Sequence, residues 1–176
     1  MTITEALAEV KTINARLEKK RESIMRYFSR DARLKDPLTE DGGSHTFVRR
    51  ERQGIADLEE RVISIRSAIQ AVNLNTRLTV AEKTRSIADW LVWRREISEG
   101  AKTFLAQMTS TLNTVRQEAS RRGYTLSEKD SDRPAQEIFV AVNESQLAAE
   151  VEGMETLLGD LDGKLSLVNA TTFVEV

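Results

Sequence analysis

Apolar positions recur every three or four residues along most of this 176-residue chain, the period of an amphipathic helix. From the N-terminus, Ile3, Leu7, Val10, Leu17, Ile24 and Phe28 keep that rhythm. Asn14 and Arg21 fill its gaps, giving the alternating spacing of a coiled-coil seam. Thr2 and Glu5 stand at capping-box spacing, so a first helix is expected over about residues 3–29. The rhythm dissolves in "SRDARLKDPLTEDGGSH", where Pro37, Gly42 and Gly43 mark a flexible connector over about 30–46. It resumes with Val48, Ile55, Leu58, Val62, Ile65, Ile69 and Val72, a second helix over about 47–73.

"NLNTRL" breaks the period again, and Thr79 with Glu82 repeats the capping spacing. A third helix is expected over about 80–122, closed by Arg121, Arg122 and Gly123. It would be ~60 Å long at 1.5 Å per residue. One apolar stripe on it runs from Ile87 through Leu91, Leu105 and Leu112 to Ala119; another carries Trp90, Trp93, Ile97 and Phe104. A helix apolar on two faces needs neighbours on two sides, so this helix is expected at the centre.

Beyond a flexible connector over about 124–136, the period changes from helical to two. Ile138, Val140 and Val142 alternate with Phe139 and Ala141, a β-like arm over 137–142. Asn143 and Gln146 then cap a fourth helix over about 144–169, and "TTFVEV" makes a second β-like arm over 172–176. The pattern therefore predicts an all-α protein: an antiparallel bundle of four long helices in one domain, residues 1–176, with two short β-like arms flanking the last helix.

Those arms raise a question of pairing. About 25 helical residues separate them, so they emerge ~37 Å apart. Four residues of extended chain reach only ~13 Å, so the arms do not reach each other within one subunit. Unpaired strand backbone asks for a partner, and the expected one is a second copy of the chain. Ile138, Phe139, Val140, Val142, Phe173, Val174 and Val176 are the expected oligomer-interface residues. Trp90 and Trp93 share a helix face and join that set.

Composition narrows the chemistry. Hydrophobic residues make up 40% and charged residues 31%, with 2 prolines, as in long-helix proteins. A net charge of −2 gives no global basic surface, and Arg49–Arg50–Arg52, Arg94–Arg95 and Arg121–Arg122 interleave with acids, so nucleic acid is not an expected partner. The chain has no cysteine, hence no disulfide, thiolate metal site or cysteine nucleophile. No apolar run nears the ~20 residues of a membrane span. The start "MTITEALAEVK" is unlike a signal peptide, and a cytoplasmic location is expected. His45 is the only histidine; beside Ser44 it lacks an orienting third group, and alone it supplies no di-iron ligand set. "EDGGSH" lacks the lysine and strand of a phosphate loop. No catalytic, cofactor-binding or metal-ligating residue is expected, and the chain reads as not an enzyme.

Three segments, "TITEALAEVKTINARLEKKRESIMRYF", "AVNLNTRLTVAEKTRSIADWLVWRREI" and "EIFVAVNESQLAAEVEGMETLLGDLDGKLSLVNATTF", resemble septicolysin-like proteins, a family of small all-helical bacterial and phage-encoded proteins. Asn73, Thr76 and Leu78, the Phe139–Val142 run, and Asn169 with Thr172 carry the likeness most specifically. The resemblance implies an antiparallel helical fold that assembles into rings or other oligomers. The expected function is a non-enzymatic structural or assembly protein, a homo-oligomer partnered by itself and other virion components, and incorporated into a phage virion. The family name implies a membrane-active, cytolysin-like protein as the alternative. An oligomeric nucleic-acid-binding scaffold is a third.

Overall fold

Thr2 starts the first helix as its spacing predicts: its Oγ1 accepts from the Glu5 amide at 3.2 Å, and the Glu5 carboxylate accepts from the Thr2 amide at 2.8 Å. In the computed structural model, which describes residues 1–128 and 136–175, α1 spans Ile3–Arg26 and α2 spans Gly43–Asn75. A hairpin follows, β1 (Arg77–Val80) and β2 (Lys83–Ser86). The chain then turns directly into α3 (Ile87–Val92), a π-helical turn (Trp93–Ile97) and α4 (Ser98–Arg122). Short strands β3 (Thr125–Ser127) and β4 (Glu137–Phe139) precede α5 (Glu144–Thr171). The described residues are mostly helical, with two sheets of two strands each among them.

The chain divides into two compact units: Met1–Thr76 with Ser166–Val176, and Arg77–Leu165. In the first, α1 and α2 run antiparallel, since Glu9 meets Arg61 at 2.8 Å and Lys20 meets Glu51 at 2.7 Å. Their shared core holds Ile3, Ala6, Val10, Ile13, Leu17, Ile65 and Ile69, together with Val174 from the tail. Each such aliphatic side chain contributes roughly 1.5–3 kcal/mol when fully buried. The buried seam of α1 keeps the expected Ile3, Val10, Leu17 and Ile24 and shifts by one residue at the positions between them. Ala6 and Ile13 face inward, while Leu7 and Asn14 face solvent and Arg21 bridges Glu18 and Glu59. That register avoids burying an asparagine amide, which costs free energy when unpaired. Phe28 falls beyond the end of α1 and is exposed.

The second unit corrects the expected start of the third helix. Residues 77–86 form an antiparallel hairpin with Arg77 opposite Ser86 and Val80 opposite Lys83. Thr79 caps nothing; its hydroxyl meets that of Thr84 across the sheet at 2.8 Å. The capping box sits seven residues later, where Ser86 and Asp89 exchange backbone and side-chain bonds. From residue 87 to 122 the chain stays helical, passing Gly100 without a break. Its irregularity is the π-turn instead, where the Ser98 amide reaches back to the Trp93 carbonyl. α5 runs antiparallel to this helix, with Arg94 on Asp162 at 3.1 Å near one end and Arg116 on Glu144 near the other.

Both β-like arms find partners inside their own chain. Ile138 and Phe139 pair in parallel with Leu126 and Ser127, part of the expected connector. Phe173 forms an isolated bridge with Thr2, and the Ile3 amide donates to the Thr172 carbonyl at 3.0 Å. The backbone groups of the arms are met by segments that lack a strand pattern, which removes the pairing argument for a second copy. Val176 and connector residues 129–135 lie outside the described residues.

Candidate assembly surface

Trp90 sits where the hairpin meets the helix that follows it. It is 1% exposed, its indole N–H donates to the Leu78 carbonyl at 2.9 Å, and the Arg85 guanidinium lies 5.1 Å above its ring. The expected interface role of Trp90 is therefore replaced by a core role: the ring fastens β1–β2 onto α3. Trp93 is half-buried and meets Trp90 edge to face at 5.8 Å. Lys164 of α5 reaches the same corner, donating to the Thr79 carbonyl at 2.8 Å.

The remaining predicted interface residues divide by burial. Val174 is 2% exposed within the first unit's core and presents nothing to a partner. Ile138, Val140 and Val142 are half-buried. Phe139 and Phe173 are open, at 51% and 70% exposed.

A larger uncovered surface lies where the pattern called for a central helix. α4 has 25 residues, of which only Ser98, Leu112 and Ala119 are buried. Ile97 and Phe104, seven residues apart and so on one face, are both exposed, Phe104 by 60%. Phe104, Met108, Thr111 and Val115 continue that face at helical spacing, and with Val140 and Val142 they line an apolar groove of about 310 Å³. A second groove of about 560 Å³ separates α4 from α5, floored by Leu105, Val151 and Met154 and edged by Thr109, Asn113 and Gln117. Of the second predicted stripe, Trp90 is buried and Trp93 half-buried, while Ile97 and Phe104 are exposed.

Several of the clustered arginines are answered locally. Arg94 pairs with Asp162, Arg95 with Glu96 and Arg122 with Glu118. Arg49 and Arg52 share a shallow open face of α2 with His45, which lies in the first turn of that helix and not in a connector. Asp36 has the most displaced acidity. Its carboxylate accepts from the Ser44 hydroxyl at 2.6 Å, the Ser44 amide at 2.8 Å and the Leu38 amide at 2.9 Å. Those bonds, the hydroxyl first, with a smaller contribution from Arg30, bring its pKa down to about 2. The arrangement is structural, because the residue at the N-cap of α2 is Gly42, which has no side chain to cap the helix. Ser86 likewise lowers the pKa of Asp89 by hydrogen bonding. Among the described residues, no group of three or more His, Cys, Asp or Glu side chains is placed to hold a metal ion, and no helix is long and apolar enough to cross a membrane.

No protein-family model, curated protein or solved structure matches this chain.

Proposed function

We propose that this chain is a non-enzymatic structural or assembly protein that works as a homo-oligomer, incorporated into a phage virion after synthesis in the cytoplasm. The observation that carries the reading is the open apolar surface of this helix, where Ile97 of the π-turn and Phe104 of α4 stand exposed and Phe104 borders the groove of Met108 and Val115. A contiguous apolar face on a water-soluble helix costs free energy until something covers it, and such faces mark association surfaces. The resemblance to septicolysin-like proteins supports self-assembly and the phage setting. Partners in this reading are further copies of the chain and other virion proteins, with no nucleic acid, cofactor or metal required.

Light scattering behind a sizing column tests it across a range of protein concentrations. A mass that is a fixed multiple of the 19.8 kDa chain supports the proposal. A particle of 19.8 kDa at every concentration overturns it.

A further inference from the structure

Two surfaces of the second unit have opposite character. The first is built by the hairpin and the π-turn. Arg77, Arg85, Asp89, Val92, Trp93 and Ile97 border a shallow groove of about 510 Å³. Val92 and Ile97 are exposed, so the groove carries an apolar surface. The hairpin contributes Arg77, Lys83 and Arg85 against the single acid Glu82. Among the described residues, the guanidinium of Arg77 makes no hydrogen bond or close ion pair, that of Arg85 lies over the Trp90 ring without an acceptor of its own, and both act on Asp89 only by longer-range attraction. Asp89 is the only carboxylate in the groove, and its Oδ2 already accepts from the Ser86 hydroxyl at 2.7 Å. Unused guanidinium N–H groups beside apolar surface fit a partner that brings carboxylates on a closely approaching backbone.

The second surface is α5, which carries six carboxylates and one lysine. Glu144, Asp160 and Asp162 are matched within the chain by Arg116, Lys164 and Arg94. Glu150 accepts only from the Gln146 amide, and Glu152 and Glu155 have no cationic partner among the described residues. The surplus negative charge therefore sits in one stretch, 150–155, where Glu152 and Glu155 share a face at i,i+3 and Glu150 borders the cleft beside Met108. Ala148, Ala149 and Gly153 beside it are exposed and small, and nothing lies within 4 Å of where a Cβ on Gly153 would stand.

We infer that the groove between hairpin and π-turn receives the 150–155 stretch of α5 from a second copy of the chain, with Arg77 and Arg85 taking its carboxylates. The inference rests on the homo-oligomer reading above and gives it a geometry. Because the two patches differ, the contact is heterologous: each copy offers a groove to one neighbour and an acidic helix to another. Such contacts close into rings or extend into filaments.

Charge reversal in the full chain tests it. Arg77→Glu with Arg85→Glu makes the groove acidic; Glu150→Lys, Glu152→Lys and Glu155→Lys together make the helix basic. Light scattering in ~0.15 M salt, where exposed charges still act over about 8 Å, reads the mass of each. The wild type is expected as a multiple of 19.8 kDa and each variant alone as a 19.8 kDa particle. An equimolar mixture of the two variants is expected to regain the larger mass, because acidic groove then meets basic helix. If the wild type is oligomeric and both variants keep its mass, the inference falls and the homo-oligomer reading stands. If the wild type is monomeric, both fall. A larger particle that a nuclease dissolves overturns the inference in favour of a phosphate-bearing occupant. Circular dichroism checks helicity first. Should a reversed variant lose it, Arg77→Gln with Arg85→Gln, set against Glu152→Gln with Glu155→Gln, reads the same contact: each pair is expected to weaken self-association about tenfold or more, and no change overturns the inference.

Discussion

Asp36 shows how one side chain can stand in for a missing cap. Helix α2 begins after Gly42, whose φ of 88° suits a glycine but offers no side-chain oxygen. The carboxylate of Asp36, eight residues before Ser44, supplies that oxygen to the Ser44 amide and hydroxyl together. Its pKa stands at about 2, below the ordinary 3.8, so the folded form holds the charged carboxylate more strongly than the unfolded chain does. The resulting stability is complete above about pH 4 and is lost as pH falls toward 2. Protection of the amides in the first turn of α2, taken relative to the free chain at each pH, should therefore fall across that window. In Asp36→Ala it should already be low at neutral pH and show little further change. Glu5, Asp31 and Asp89 also have lowered pKa values, so a global denaturation curve mixes several carboxylates and the local readout is the decisive one. Equal protection of that turn in Asp36→Ala and wild type would show that Asp36 does not cap it. This contact was not legible in the sequence, where "KDPLTEDGGSH" reads only as a breaker-rich connector. Local pattern rules do not register a cap that arrives from eight residues away.

The β1–β2 hairpin is the element whose identity depends on two unusual residues. Its two-residue loop places Ala81 at φ 45° and Glu82 at φ 64°, both left-handed, as a type I′ turn requires. Asn-Gly is the favoured pair there, and a residue with a Cβ pays roughly 1–2 kcal/mol for that conformation. Replacing Ala81 by Asn and Glu82 by Gly should therefore raise stability by about 1–2 kcal/mol in a denaturant titration. A fall would show that the Glu82 side chain contributes more than its backbone costs. The same strain explains why the hairpin was hidden: "RLTVAEKTRS" lacks a turn dipeptide, and Thr79 with Glu82 mimics a helix cap. Long helices were easier to read, because their apolar period repeats over many turns. The α1 seam shows the limit, since Ala6 and Leu7 are both apolar and only the avoidance of buried Asn14 decides between neighbouring registers.

At the scale of the whole molecule, the tail belongs to the first unit's core and does not need another copy to pair with. Val174 packs with Ile3, Ala6 and Val10, its amide donates to the Met1 carbonyl at 2.8 Å, and Thr172 accepts from Ile3. Ending the chain after Thr171 removes one buried valine, worth roughly 1.5–3 kcal/mol, and unpairs the first residues of α1. The truncated chain should therefore show faster amide exchange in α1 and the facing half of α2, and a lower unfolding midpoint for that unit. The tryptophans make the comparison selective. Trp90 and Trp93 are the only two in the chain, and both lie in the second unit, whose residue range the truncation leaves untouched. Tryptophan emission should accordingly remain native while α1 loses protection. Loss of both together would mean that folding of the second unit depends on the first. Unchanged protection in α1 would mean that Val174 contributes little beside the α1–α2 contacts of Val10, Ile13, Leu17, Ile65 and Ile69.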